Sequence, residues 1–103
     1  MNIVSEIKRV LPVWVRLFRE HTDGDPEAKL QEEVDEFLEE PSGNAKLGEA
    51  ADVVIVMLTQ LYVDGGYEIW DLLDEVHRKI GVNLTRQWTR NPDGTISHVK
   101  RVP

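Results

Sequence analysis

A chain of 103 residues is long enough for one domain with a small core, and we expect residues 1–103 to form a single domain. The formal net charge of −7 argues against binding to nucleic acid or to anionic membranes, because both require a basic surface. The lack of cysteine excludes disulfides and zinc–thiolate sites, and the longest apolar run, residues 53–58, is too short to span a bilayer. We therefore expect a cytoplasmic protein.

The N-terminal segment predicts an amphipathic helix that ends near Glu20. Its hydrophobic residues recur at helical spacing, namely Ile3, Ile7, Val10, Leu11, Trp14, Leu17 and Phe18. Pro12 lies within this pattern and is expected to kink or split the helix, because proline has no backbone N–H and its ring clashes with the preceding turn.

A second helix is predicted for residues 26–39, after a loop that begins at His21. Asp25 followed by Pro26 is a strong start signal, since it combines an N-cap side chain with proline at the first helical position. This helix is expected to bury Leu30, Val34, Phe37 and Leu38 on one side, with acidic side chains beside them.

The third helix is predicted for residues 45–63, after a proline- and glycine-containing break at residues 40–44 in which Asn44 is a candidate cap. Residues 50–61 are apolar on nearly every side, which predicts burial on every side and a contact with another subunit. The β-branched run at residues 53–56 is also compatible with a buried strand. Its length and the helical spacing of the acidic residues before it favour a helix.

Residues 64–66 end this helix, with a glycine supplying the left-handed cap. A fourth helix is predicted for residues 68–87. In the tail, the turn sequence at residues 91–94 separates short β-prone segments at 88–90 and 95–99, which predicts a small hairpin or an extended arm. The expected fold class is therefore all-α, with four helices followed by this tail.

Five carboxylates are concentrated where the second and third helices would face each other. On a helix, Glu32, Glu33 and Glu36 fall within an arc of about 100°, and Glu49 and Asp52 lie one turn apart. Acidic residues on amphipathic helices are most often a solvated face. Here two of them open an otherwise apolar helix, where an unpaired charge is costly, and a hard divalent cation would relieve the repulsion.

We therefore predict a site for Mg²⁺ or Mn²⁺ with Glu33, Glu36, Glu49 and Asp52 as the metal ligands. Glu32 and Glu33 are the candidate catalytic carboxylates. Glu32 is interpreted either as a further ligand or as a base that takes a proton from the attacking water.

The pattern E-E-x-x-E, a short spacer and E-x-x-D, formed by residues 32–36 and 49–52, resembles the MazG and all-α nucleoside triphosphate pyrophosphohydrolase superfamily. This group includes dimeric dUTPases and phosphoribosyl-ATP pyrophosphatase. The resemblance implies a four-helix MazG-like bundle that assembles as a homo-oligomer, a dimer or a tetramer. It also implies Mg²⁺- or Mn²⁺-dependent cleavage of a nucleoside triphosphate between the α- and β-phosphates, releasing a monophosphate and pyrophosphate.

A second group of residues is predicted to bind phosphate. On a continuous helix, Lys79, Asn83, Arg86 and Arg90 would lie within about 60° of one another. The first three are predicted substrate-binding residues, although a basic helix end also complements the helix dipole. The spacing K-x-x-x-N-x-x-R resembles compact MazG-like proteins, including phage-encoded ones, for which the compartment would be the host cytoplasm.

Two further substrate-binding candidates lie in the first half of the chain. Lys29 precedes the acidic pattern by one turn and is either a counter-ion or a phosphate ligand. Trp14 is a candidate for stacking on a nucleobase, although aromatic residues at helical spacing more often belong to the core. The alternative functions are phosphoribosyl-ATP pyrophosphatase, within the same enzyme class, and a non-catalytic helical dimerisation module.

Overall fold

The computed structural model describes residues 2–21 and 26–99, which form four α-helices and a two-stranded hairpin. The elements are α1 (Ile3–His21), α2 (Pro26–Glu39), α3 (Asn44–Gly65), α4 (Ile69–Thr85), β1 (Trp88–Arg90) and β2 (Ile96–His98). The predicted all-α fold with a C-terminal hairpin is confirmed. The predicted N-cap residue Asp25 lies outside the described residues.

The chain forms two compact units, Met1–Leu72 and Leu73–Pro103. The first contains α1, α2, α3 and the first turn of α4. The second contains the rest of α4 and the hairpin. The single domain predicted for residues 1–103 stays a prediction.

The first unit has a small hydrophobic core in which α1 meets α3 and the start of α4. Its buried members are Leu11, Val15, Leu58 and Ile69, and Val4, Ile7, Tyr62 and Leu72 pack around them. Pro12 does not split α1, which is helical from Ile3 to His21. Leu11 and Val15 lie on either side of the proline turn and are both buried, so their packing holds together a helix that has lost one backbone hydrogen bond.

The segment from residue 44 to residue 65 is a helix and not the alternative strand, and it packs chiefly against α2. The predicted burial of Leu38 on α2 is wrong, because this side chain lies outside the packed side of the helix and is 67% exposed. It ends as predicted. Gly66 adopts the left-handed conformation at φ 68°, and its N–H donates to the carbonyl of Tyr62 at 2.9 Å.

The start of α3 differs from the prediction that Asn44 caps it. Gly43 occupies the N-cap position, and no side chain caps the helix there. Lys46 instead links the two helices, because its Nζ donates to the carbonyls of Phe37 at 2.8 Å and Glu40 at 3.0 Å. Since these carbonyls lie at the C-terminal end of α2, a cation there also complements the helix dipole.

The second unit carries the predicted hairpin. β1 and β2 are antiparallel, with Trp88 opposite His98 and Arg90 opposite Ile96. In the connecting turn the Asp93 carboxylate accepts hydrogen bonds from the Thr95 hydroxyl at 2.6 Å and the Thr95 N–H at 3.0 Å, which lower the pKa of Asp93. Among the helices in the two described ranges, none is long and apolar enough to cross a membrane.

Two glycines of the α3 region are expected to respond oppositely to alanine. Gly66→Ala should lower the free energy of unfolding by about 1 to 2 kcal/mol, because its positive φ disfavours a side chain although nothing lies within 4 Å of the added Cβ. Gly48→Ala, inside the helix with open space around its Cβ, should raise the free energy of unfolding by about 1 kcal/mol. Urea unfolding of both variants measures the difference, and a shift in the same direction for both would contradict this account of the cap.

Candidate metal centre

The packing of α2 against α3 brings three of the predicted metal ligands into one place. Glu33 and Glu36 lie one turn apart on α2, and Glu49 lies in the first turns of α3. One carboxylate oxygen from each lies within 4.8 Å of the other two. Carboxylate oxygens at this spacing are the donor set that Mg²⁺ and Mn²⁺ prefer.

The burial of these carboxylates tests whether a cation fits. Glu33 is 8% exposed, and its Oε2 has no hydrogen-bond partner among the described residues; the same is true of Glu49 Oε2. A buried carboxylate oxygen without a partner costs free energy, and the cost rises when similar charges face it. A divalent cation would satisfy both oxygens, so the residues present fit such an ion.

Without a cation, a lysine offsets part of the negative charge of the cluster. Lys29 Nζ lies 3.0 Å from Glu33 Oε1 and 3.6 Å from Glu32 Oε1, and its hydrogen bond with Glu33 raises the pKa of Lys29. The pKa of Glu36 is also raised, chiefly because its carboxyl shares a hydrogen bond with Glu33 and lies near that group's negative charge. The cluster therefore keeps an excess of negative charge, which a cation would offset.

Asp52 and Glu32 lie at the edge of this cluster. Asp52 is exposed, one turn beyond Glu49 on α3, and does not belong to the group of three, although it lines the same cavity as Lys29 and Glu33. Glu32 is exposed, with its carboxylate near Lys29. The role of Asp52 as a metal ligand stays a prediction, as does the role of Glu32 as a further ligand or a base.

An apolar cleft of about 950 Å³ adjoins the carboxylates within the first unit. Its walls include Trp14 and Phe18 from α1, Val54 and Ile55 from α3, and the charged side chains Lys29, Glu33 and Asp52. A second cavity of about 450 Å³ shares Trp14, Phe18 and Lys29. A cleft with aromatic groups and a charged end suits an amphipathic ligand.

Trp14 is only partly buried, at 38% exposed, and its ring centroid lies 6.0 Å from that of Phe18. Its Nε1 donates to the Thr59 hydroxyl at 3.0 Å. The structure thus places Trp14 in a cavity wall instead of in the core. Sequence reasoning missed Thr59, for which the one available signal was a hydroxyl within an apolar helical run.

Lys79, Asn83 and Arg86 belong to the second unit and are exposed. The predicted continuous helix through residue 87 is wrong in its last turn, because α4 ends at Thr85. Arg90 consequently lies on β1 and does not share a helix face with Lys79. Asn83 and Arg86 remain together, since Arg86 Nη1 donates to Asn83 Oδ1 at 3.3 Å.

Comparison with known proteins finds two relatives, while no family model matches the sequence. A dATP/dGTP diphosphohydrolase of Salmonella phage PMBT28 is 30% identical over 97 residues, which cover 93% of this chain and 31% of that protein. The chain thus spans about a third of the length of this relative. A solved structure, the cyanophage S-2L MazG-like pyrophosphohydrolase bound to dGDP and three catalytic Mn²⁺ ions per active site, is 26% identical with a TM-score of 0.61, covering 93% of this chain and 91% of that one.

Removing the positive charge of Lys29 should leave the repulsion among the carboxylates of the cluster uncompensated. We expect Lys29→Met to lower the free energy of unfolding in EDTA by about 1 to 2 kcal/mol, because the buried Glu33 loses its counter-ion while Lys29 itself is half-exposed. Added Mn²⁺ should recover part of the loss. Urea unfolding with and without the metal measures both effects.

Lys8→Met is the matched control, since Lys8 pairs with Glu68 at 3.4 Å with side chains 52% and 34% exposed. This surface pair should contribute less than about 1 kcal/mol and should show no response to Mn²⁺. Equal losses of unfolding free energy in the two variants would show that Lys29 stabilises Glu33 no more than an ordinary surface ion pair does.

Proposed function

We propose that the chain is a MazG-like pyrophosphohydrolase, as the resemblance of its carboxylate pattern implies, and that it hydrolyses a nucleoside triphosphate between the α- and β-phosphates. The products are a nucleoside monophosphate and pyrophosphate. The observation that carries this proposal is the group formed by Glu33, Glu36 and Glu49, with two buried carboxylate oxygens that lack partners. A site of this kind is suited to a divalent cation that also contacts phosphate.

The carboxylates divide into metal ligands and a group near the attacking water. Glu33, Glu36, Glu49 and Asp52 would hold Mg²⁺ or Mn²⁺, which when bound supplies Lewis-acid polarisation of the phosphate oxygens and charge neutralisation. Glu32, exposed beside Lys29, is accessible to the water and is either a further ligand or its base.

In this proposal, cationic and amide side chains bind the phosphates of the pyrophosphate leaving group. Lys29 can exchange its carboxylate partners for a phosphate oxygen, since its side chain is 39% exposed. Lys79, Asn83 and Arg86 are the further phosphate ligands in this proposal, supported by their exposure and by the hydrogen bond that keeps Asn83 and Arg86 adjacent. They would stabilise the charge that develops on pyrophosphate.

The base lies against Trp14 in the apolar cleft, with its phosphates directed towards the carboxylates. Purine deoxynucleotides are the first substrates to consider, because one relative is named for dATP and dGTP and the other was solved with dGDP. The enzyme acts in the cytoplasm, where its substrates are found.

Exposed apolar surface supports a homo-oligomer, either a dimer or a tetramer. In the first unit, α3 is apolar on nearly every side, yet its Val54 and Ile55 side chains remain 39% and 41% exposed. In the second unit Ile80 and Leu84 of α4 are also exposed. Surfaces of this kind usually mark an interface, and light scattering on the purified protein determines the number of subunits.

The direct test measures pyrophosphate release across the nucleoside triphosphates and phosphoribosyl-ATP, with Mn²⁺ or with EDTA. Release from a deoxynucleoside triphosphate in the presence of metal supports the proposal, whereas phosphoribosyl-ATP as the preferred substrate would replace it. A non-catalytic dimerisation module would release no pyrophosphate and would show no rise in Tm with Mn²⁺ and nucleotide.

Neutral isosteres of two ligands should separate activity from folding. We expect Glu49→Gln and Asp52→Asn each to reduce the rate at least about 100-fold, because each removes a charge that holds the metal. Mn²⁺ affinity, measured by calorimetry, should fall in parallel, while the Tm in EDTA changes by only a few degrees.

Glu39→Gln is the matched control, since it neutralises an exposed carboxylate at the end of α2, outside the cluster. It should retain the wild-type rate and the wild-type affinity for Mn²⁺. Wild-type activity in the Glu49 variant would remove the metal-site assignment for this residue.

A further inference from the structure

Thr59 is a buried hydroxyl, 4% exposed, in the middle of the apolar run of α3. Its Oγ1 donates to the carbonyl of Ile55 at 2.6 Å and accepts from Trp14 Nε1 at 3.0 Å. A hydroxyl has one proton to donate, and the Ile55 carbonyl takes it. The lone pairs of Oγ1 are therefore left for the indole N–H, and the two bonds define one orientation for the pair.

Trp14 connects the hydrogen-bonded pair to the cleft, because its indole both bonds to Thr59 and lines the cavity. The indole lines both cavities and is partly exposed, with its outer surface available to a ligand. Its orientation is held by the bond to Thr59 and by the tilted contact with Phe18, whose ring plane is rotated by 46°. An indole free of Thr59 could rotate and give its N–H to water, because the ring is not enclosed by the core.

We propose that Thr59 is a positioning residue that sets the plane of Trp14 for contact with the nucleobase of the substrate. The inference rests on the proposed function, in which a nucleoside triphosphate occupies this cleft. Stacking depends on the relative orientation of the two rings, and an indole already held in position loses less freedom when the base binds. Thr59 thus contributes to substrate affinity without touching the substrate.

The kinetic consequence is specific. The base contact is remote from the phosphorus atom that is attacked, and it is present in both the bound substrate and the transition state. Loss of the positioning bond should therefore raise KM and leave kcat nearly unchanged. A residue that merely ties α1 to α3 would lower the Tm without this separation of KM from kcat.

The test compares Thr59→Val, which is isosteric but cannot accept the indole bond, with Thr59→Ser, which keeps the hydroxyl. For Thr59→Val we expect KM for the preferred nucleotide to rise about 3- to 10-fold with kcat within twofold, and for Thr59→Ser we expect values near wild type. Thr59→Ala serves the same purpose if the valine methyl does not fit against Trp14.

A second readout does not require turnover. The indole N–H of Trp14, assigned in ¹H–¹⁵N spectra by its loss in Trp14→Phe, should exchange with water faster in Thr59→Val than in the wild-type protein and in Thr59→Ser. In the Trp14→Phe background, Thr59→Val should add no further increase in KM, because the bond that it removes is already absent.

An unchanged KM in Thr59→Val, or an increase of the same size in the Trp14→Phe background, would overturn the inference while leaving the proposed function intact. The complete lack of metal-dependent hydrolysis in the wild-type protein would overturn the proposed function and the inference together. The two failures are therefore distinguishable in one set of assays.

Discussion

Mutual repulsion of carboxylates between α2 and α3 is the constraint on which this structure depends. Glu33, Glu36 and Glu49 place one oxygen each within 4.8 Å of the others, two of these side chains are at least partly buried, and Lys29 neutralises only part of the charge. Two helices would not adopt this arrangement for stability alone. The rest of the first unit supplies the opposing free energy, through the packing of α2 on α3 and the apolar core beneath α1.

The apolar residues of α1 and α3 serve two purposes at once. One part is enclosed in the core, where Leu11, Val15 and Leu58 are each about 5% exposed or less. The other part remains accessible and, together with the core residues Leu11 and Leu58, lines the cleft beside the carboxylates, with Trp14 in its wall. Because a small core leaves a large share of hydrophobic surface outside it, a short chain can provide a ligand site from residues that a larger protein would bury.

Local patterns in the sequence predicted most of the fold, and long-range contacts account for what they missed. Helical periodicity identified the four helices and the spacing of the carboxylates, and the Asp-Gly-Gly sequence at residues 64–66 identified the end of α3, since each signal is contained in a few consecutive residues. The chain leaves the helix after Thr85, and the Gln87 carbonyl accepts from the Val99 N–H of the hairpin at 2.7 Å, while Trp14 on α1 donates to Thr59 on α3. Both bonds join groups that meet only in the folded chain. In the last case the partners are 45 residues apart, and no period connects them.

The role of Lys46 has a consequence for how the site tolerates variation in sequence. This one side chain holds the end of α2 against the start of α3, through two carbonyls and through the face of Phe37 at 4.2 Å from the ring centre. The exposed residues 41 and 42 between the helices therefore need only connect them, since Lys46 and the cap at Gly43 hold the start of α3 from outside these two positions. A longer loop adds little closure entropy, so this turn is a place where a peptide tag or a reporter group can be inserted close to the carboxylate cluster without displacing it.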